Sequence, residues 1–252
     1  MSTNTLIPRW HAFHTHKRGN APDEYEDAFS GDAAKARFAV GDGASESSFV
    51  ATWAKLLTEG FVAAEGKPWR NLDWLASARQ LWAADVDPRS LPWYAEEKRE
   101  QGAYATLLGV AFRKPRTNED VFLWHAVAVG DSCLFRVRAG KLRKSFPLTR
   151  ASDFGNQPAL LGSRGRVADT PQTVQRLHGK TRPGERFLLT TDALAEWMLR
   201  QTENQRRPAE DIERLLAESD PPGAFAGWVE ERRQRQGLRN DDVTLMVIDF
   251  SV

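Results

Sequence analysis

Four places along this chain put a carboxylate at the margin of an apolar segment. They are Glu26-Asp27 before Ala28-Phe29, Asp42 after Phe38-Ala39-Val40-Gly41, Asp192 after Phe187-Leu188-Leu189-Thr190-Thr191, and Asp241-Asp242 before Val243-Thr244-Leu245. Carboxylate oxygens are the ligands of hard divalent cations. Asp42 is the plainest case: a glycine on either side lets an ion come close and leaves the Gly43 carbonyl beside the Asp42 side chain as a second oxygen donor. Carboxylates gathered without cations repel one another, and burying them unpaired is costly. Divalent ions remove that conflict. An oxygen-only donor set, with neither His nor Cys among it, favours magnesium or manganese over zinc.

These acids act together only if the elements that carry them converge. Residues 6–14 and 37–40 read as strands, and Glu26-Asp27-Ala28-Phe29 opens a short strand between them that Gly31-Asp32 turns. Their short links imply antiparallel pairing of successive strands. Residues 45–101 are helical: Phe49, Val50, Trp53, Leu56 and Leu57 recur at helical spacing, as do Leu72, Leu75, Ala76 and Leu81, for two or three helices. Strands return at 104–112, 121–129, 133–138 and 141–146 as an antiparallel meander. The second of these is apolar enough to be central, with both faces covered. Residues 148–166 are irregular, and strands follow near 173–177 and at 186–192. Helices at 193–200, 208–218 and 223–234 lead to a closing strand at 243–250. Strands in runs and helices in runs, without sustained alternation, predict an α+β fold. No repeat or linker divides the chain, so residues 1–252 are expected to form one domain.

The overall charge excludes some partners. With 35 basic and 34 acidic residues, a net charge of +1 gives no electrostatic case for nucleic acid or an anionic membrane. No apolar run approaches the roughly 20 residues of a membrane-spanning helix. The start, Met1-Ser2-Thr3-Asn4-Thr5, lacks the basic and then apolar pattern of a secretory signal. A lone cysteine, Cys133, cannot form an internal disulfide, which fits a reducing cytoplasm.

Five short motifs in order carry a resemblance: Glu26-Asp27-Ala28-Phe29, Val40-Gly41-Asp42-Gly43-Ala44, Val129-Gly130-Asp131-Ser132, Leu188-Leu189-Thr190-Thr191-Asp192-Ala193-Leu194 and Asn240-Asp241-Asp242-Val243-Thr244. Together the chain resembles the metal-dependent protein phosphatases, the PPM or type 2C family, and most of all its bacterial members. The resemblance implies a four-layer α-β-β-α sandwich of two antiparallel sheets flanked by helices, with two Mn2+ or Mg2+ ions at the sheet rim. In that scheme Asp42 bridges both ions, Gly43 offers its carbonyl to one, and Asp192 and Asp241 complete the other. Glu26 and Asp27 hold metal-bound waters, and Asp242 stands behind Asp241. Asp131 enters only as a structural turn. A water shared by two cations about 4 Å apart loses a proton near neutral pH and attacks phosphorus in line. The implied activity is hydrolysis of phosphoserine and phosphothreonine in proteins, with a cognate serine/threonine kinase as the opposing partner.

The chain departs from the family pattern at several positions. Ala44-Ser45 stands where many members have a His, Gly102-Ala103 where a third metal's Asp lies, and Ala193 where Gly is usual. Pro22 falls where the phosphate-binding Arg belongs, which leaves Arg18 and Lys17 as the substrate-phosphate candidates. These departures make a catalytically weak or inactive regulatory or binding module on the same fold the alternative. The set His14, His16, His125 and Asp192 mimics an amidohydrolase zinc site. Such sites ride on alternating β/α units, which this pattern lacks.

Overall fold

The computed structural model describes residues 8–44, 49–89, 93–115, 121–155, 157–166, 173–235 and 237–250. One five-stranded sheet contains β2 (Ala28–Asp32), β3 (Arg37–Gly41), β5 (Leu107–Arg113), β6 (Phe122–Val129) and β10 (Gln175–Thr181), in the order β10-β6-β5-β3-β2. The other contains β1 (Arg9–Thr15), β7 (Cys133–Arg138), β8 (Lys141–Phe146), β11 (Arg186–Thr190) and β12 (Val243–Asp249), in the order β1-β12-β11-β7-β8. Every pairing within the two sheets is antiparallel. A small third sheet joins β4 (Tyr104–Ala105) to β9 (Leu161–Gly162).

Helices cover the two outer faces. On the first sheet lies α1 (Val50–Ala63), followed by α2 (Leu75–Val86) and then α3 (Trp93–Gln101). In α1, Trp53, Leu57 and Phe61 recur every four residues, so one face of the helix is apolar and is wholly buried against the sheet. On the second sheet lie α4 (Asp192–Glu203), α5 (Pro208–Leu216) and α6 (Pro221–Arg235), packed through Trp197, Met198, Ile212 and Phe225. Between the sheets, Phe38, Leu108, Val110, Phe112, Phe187, Met246, Ile248 and Phe250 interdigitate in a core of their own. Each large apolar side chain buried this way contributes about 1.5–3 kcal/mol. The layers are therefore α-β-β-α, as the resemblance implies, and the fold class is α+β. No helix among the described residues is long and apolar enough to cross a membrane.

Several details differ from the sequence expectations. β1 does not pair with β2: it lies in the opposite sheet against β12, with Phe13 opposite Leu245. Gly31 and Asp32 belong to β2, and the turn falls at residues 33–36 instead. The single strand expected over 104–112 is broken at Thr106, whose backbone N–H donates to the Asp42 carbonyl (2.8 Å). Its two halves pair in different sheets. The meander is likewise interrupted, since the link from β6 to β7 crosses from one sheet to the other. Within 148–166, mostly irregular as expected, β9 supplies the partner of β4. The expected helix start at 45–48, the strand start at 6–7 and most of the turn through 115–119 lie outside the described residues.

Candidate metal centre

Strand direction alternates in both sheets, so the C-terminal ends of β3, β6 and β11 and the N-terminal ends of β5, β7 and β12 meet at one rim. The acids lie at that rim. Asp42 follows β3, Asp131 sits on the crossing from β6 to β7, Asp192 opens α4 directly after β11, and Asp241-Asp242 precede β12. Carboxylate oxygens of Asp42, Asp131 and Asp192 lie within 4.8 Å of one another. The charge of Asp241 is felt by all three.

The surrounding residues hold these acids from behind. The Asp42 backbone N–H donates to Thr106 Oγ1 (3.0 Å), and Thr106 Oγ1 shares a hydrogen bond with Ser132 Oγ (2.8 Å), tying the end of β3 to the turn that carries Asp131. Gly130 makes that turn with φ of +102°, a region side chains avoid, and a Cβ there would also meet Thr106 Cγ2 at 2.6 Å. Gly43 is required for a different reason: a Cβ would lie 2.7 Å from both the Glu26 carbonyl and Val50 Cγ2. Glu26 and Gly43 thus sit backbone to backbone.

Asp27 is buried, and its Oδ2 accepts hydrogen bonds from Thr191 Oγ1 (2.8 Å) and Thr244 Oγ1 (2.7 Å). Since the Thr244 hydroxyl spends its one proton on Asp27, the Tyr25 hydroxyl donates to Thr244 Oγ1. Thr191 leaves the end of α4 uncapped in order to serve Asp27. Asp242 accepts the backbone N–H groups of Lys17 and Glu26, one on each oxygen at 2.7 Å, and so fastens two loops beside the rim. A cleft of about 420 Å³ opens there, lined by Lys17, Tyr25, Glu26, Val50, Asp241 and Asp242 among others.

The electrostatics follow from the crowding. Burial, and then the charges of Asp27, Asp192 and Asp131, hold the Asp42 carboxyl well above the usual carboxylate range. Burial and Asp192 push Asp131 up to about 7. Burial raises Asp27 against the pull of its threonine donors, and raises Asp192 against the pull of Arg239. Asp131 Oδ1 is buried without a hydrogen-bond partner. A buried carboxyl with an unpartnered oxygen, grouped within 4.8 Å of two further carboxylates, fits a divalent cation, and the donors are all oxygen.

Of the residues singled out from sequence, Asp42, Asp192 and Asp241 come together, with Gly43, Glu26 and Asp27 immediately behind them. The two phosphate candidates separate: Lys17 lines the cleft, whereas the Arg18 guanidinium turns to Glu230 on α6 (Nε to Oε2, 3.2 Å). The sequence reading of Asp131 as a turn residue missed its place in the cluster. Its signal was the same acid at the margin of an apolar strand that marks Asp42. Arg239, whose guanidinium bonds Asp192 Oδ2, was also missed, and an arginine in a loop before paired acids carries no distinguishing pattern. Cys133 is buried with its thiol on the Asp131 carbonyl (3.3 Å), and burial raises its pKa, as befits a packing residue. The amidohydrolase set does not assemble. His14 packs on Tyr25 and Phe29, while His125 stacks on Trp69 in the other sheet.

No protein-family model matches the sequence, and no curated protein matches it. Solved structures do match. The catalytic domain of the serine/threonine phosphatase PstP, in complex with two manganese ions, aligns over 98% of this chain and 100% of its own at 19% identity, TM-score 0.63. The Mycobacterium tuberculosis enzyme PstP/Ppp aligns over the same shares at 18% identity, TM-score 0.61. PppA of Pseudomonas aeruginosa, a regulatory component of its T6SS, aligns over 96% of this chain and 97% of its own at 19% identity, TM-score 0.57. The chain has the fold of the metal-dependent serine/threonine protein phosphatases.

Proposed function

We propose that this protein hydrolyses phosphoserine and phosphothreonine esters in phosphorylated proteins. The observation that carries the reading is the convergence of Asp42, Asp131 and Asp192 within 4.8 Å at the rim of this fold. Two Mn2+ or Mg2+ ions would be held by Asp42, the Gly43 carbonyl, Asp192 and Asp241, with Glu26 and Asp27 holding waters and Asp131 adding its unpartnered oxygen. Ions bound there supply an activated water and offset the charge of the phosphoryl oxygens. The chain's own part is positional. Thr106 and Ser132 fix the backbone of Asp42 relative to Asp131, Thr191 and Thr244 orient Asp27, and Asp242 holds the loops that flank the cleft. Lys17 on the cleft wall offers a cation to an incoming phosphate. The reading brings with it an opposing serine/threonine kinase and a cytoplasmic location, with which a single buried cysteine accords.

The test is release of phosphate from a phosphothreonine peptide. Manganese stimulates it, a chelator abolishes it, and Asp42→Ala and Asp192→Ala each remove it. Manganese binding with turnover of neither the peptide nor an aryl phosphate supports instead a regulatory module on the same fold.

A further inference from the structure

Arg239, from the loop before β12, brings its guanidinium directly against a carboxylate of the acidic rim. Its guanidinium donates to Asp192 Oδ2, its Nε lies 3.6 Å from Asp241 Oδ2 and its Nη1 3.9 Å from Glu196 Oε2. The loop is held on every side. Arg200 bonds the Gly237 carbonyl, buried Leu238 donates its backbone N–H to the Arg232 carbonyl (3.2 Å), and Asn240 Oδ1 accepts the Arg18 backbone N–H (2.9 Å). Asp241 returns its own N–H to the Arg239 carbonyl (3.1 Å), and Arg233 bonds the Asp241 carbonyl. This scaffolding sets the guanidinium against Asp192. The Asp192 side chain is only 15% exposed, so its charge is felt strongly.

We propose that Arg239 is a resident counter-cation that competes with a divalent ion for Asp192 and thereby sets how tightly the centre holds its metal. The inference rests on the metal reading above and adds a control element to it. The physical argument is charge: the guanidinium already neutralises Asp192 at Oδ2, so a divalent ion on Asp192 must either displace Arg239 or bind beside it. In the second case a double and a unit positive charge would share one carboxylate, and at a separation on the order of 5 Å their repulsion would be worth about a tenfold change in affinity even with water-like screening. Arg239 is a positioning residue in this account: its effect passes through Asp192.

The experiment measures Mn2+ affinity by calorimetric titration of the full chain as wild type, Arg239→Ala, Arg239→Gln and Arg239→Lys. Arg214→Ala, which removes an exposed arginine of α5, serves as the control. The unfolding midpoint of each variant is followed alongside. Tightening by tenfold or more in the Ala and Gln variants, with Lys close to wild type and the control unchanged, supports the competition. Affinity in Ala and Gln that is unchanged or weaker overturns it, as does a Lys variant that tightens as much as Ala. Should Ala fail to fold, Gln and Lys differ in charge and decide alone. Absence of Mn2+ binding in wild type and variants alike overturns the metal reading and this inference with it, whereas equal binding in all overturns the inference alone.

Discussion

Asp131 offers the sharpest test of the site's energetics, because its burial, its orphaned oxygen and its elevated pKa all describe one group. Burial and Asp192 raise its folded pKa to about 7, from an ordinary value of 3.8. A carboxyl whose folded pKa lies above its unfolded one binds more protons in the native state between the two values, so its contribution to stability falls as pH rises through that window. Three units at 1.36 kcal/mol each make about 4 kcal/mol of penalty above pH 7, of which about 3 kcal/mol develops between pH 5 and pH 8. Asp131→Asn removes this titration while keeping the size of the side chain. In the presence of a chelator, urea unfolding followed by circular dichroism is expected to show the variant gaining about 3 kcal/mol on the wild type between pH 5 and pH 8. With manganese the order reverses, because the ion stabilises the wild type through a carboxylate charge and a second oxygen that the amide lacks. A stability gap that is the same at both pH values, or a variant that manganese stabilises as much as wild type, would contradict this account of Asp131.

Three further outcomes follow from the same contacts. Thr244→Val deprives Asp27 of one of its two donors and the Tyr25 hydroxyl of its acceptor, two losses of about 1–3 kcal/mol each, read as a lower urea midpoint at unchanged slope. Gly43→Ala drives a Cβ into the Glu26 carbonyl and Val50, which costs about 1–3 kcal/mol and is expected to weaken manganese binding in a calorimetric titration, since the Gly43 carbonyl moves with the strain. Asp242→Asn keeps one acceptor for the two N–H groups of Lys17 and Glu26, and is expected to loosen the flanking loops, seen as faster amide exchange at those two positions.

What could be read from the chain was whatever depends on neighbours in sequence. Helical spacing in α1 and α4 through α6, the apolar run of β6, and the acids at strand margins are all local patterns, and each element appears where its pattern predicts. The pairing of β1 with β12 joins residues more than two hundred positions apart, and nothing near Phe13 points to Leu245. The role of Asp131 was hidden for the same reason. Gly130-Asp131-Ser132 has the composition of an ordinary turn, and only the change of sheet between β6 and β7 carries it to the rim beside Asp42 and Asp192. Thr191 and Thr244 were invisible as partners of Asp27, because a threonine in an apolar strand reads simply as a β-former.

The acids come from both sheets: Asp27 and Asp42 flank β2 and β3 of one, while Asp192 and Asp241 flank β11 and β12 of the other, and Asp131 lies on the crossing between them. Their separation is therefore set by how the sheets pack, not by any single loop. Of the threonines that orient Asp27, Thr244 lies in β12 of the opposite sheet and Thr191 directly follows β11 of that sheet, so that buried carboxylate also pins the two sheets together at the rim. Away from the rim, Phe112 meets Phe187 at 4.9 Å and Phe250 at 4.6 Å across the same interface. Apolar burial there is what offsets the repulsion concentrated at the rim, because the carboxylates alone would drive the sheets apart. A change in the aromatic packing between the sheets should for that reason alter metal affinity, measured by calorimetric titration, without touching a single ligand.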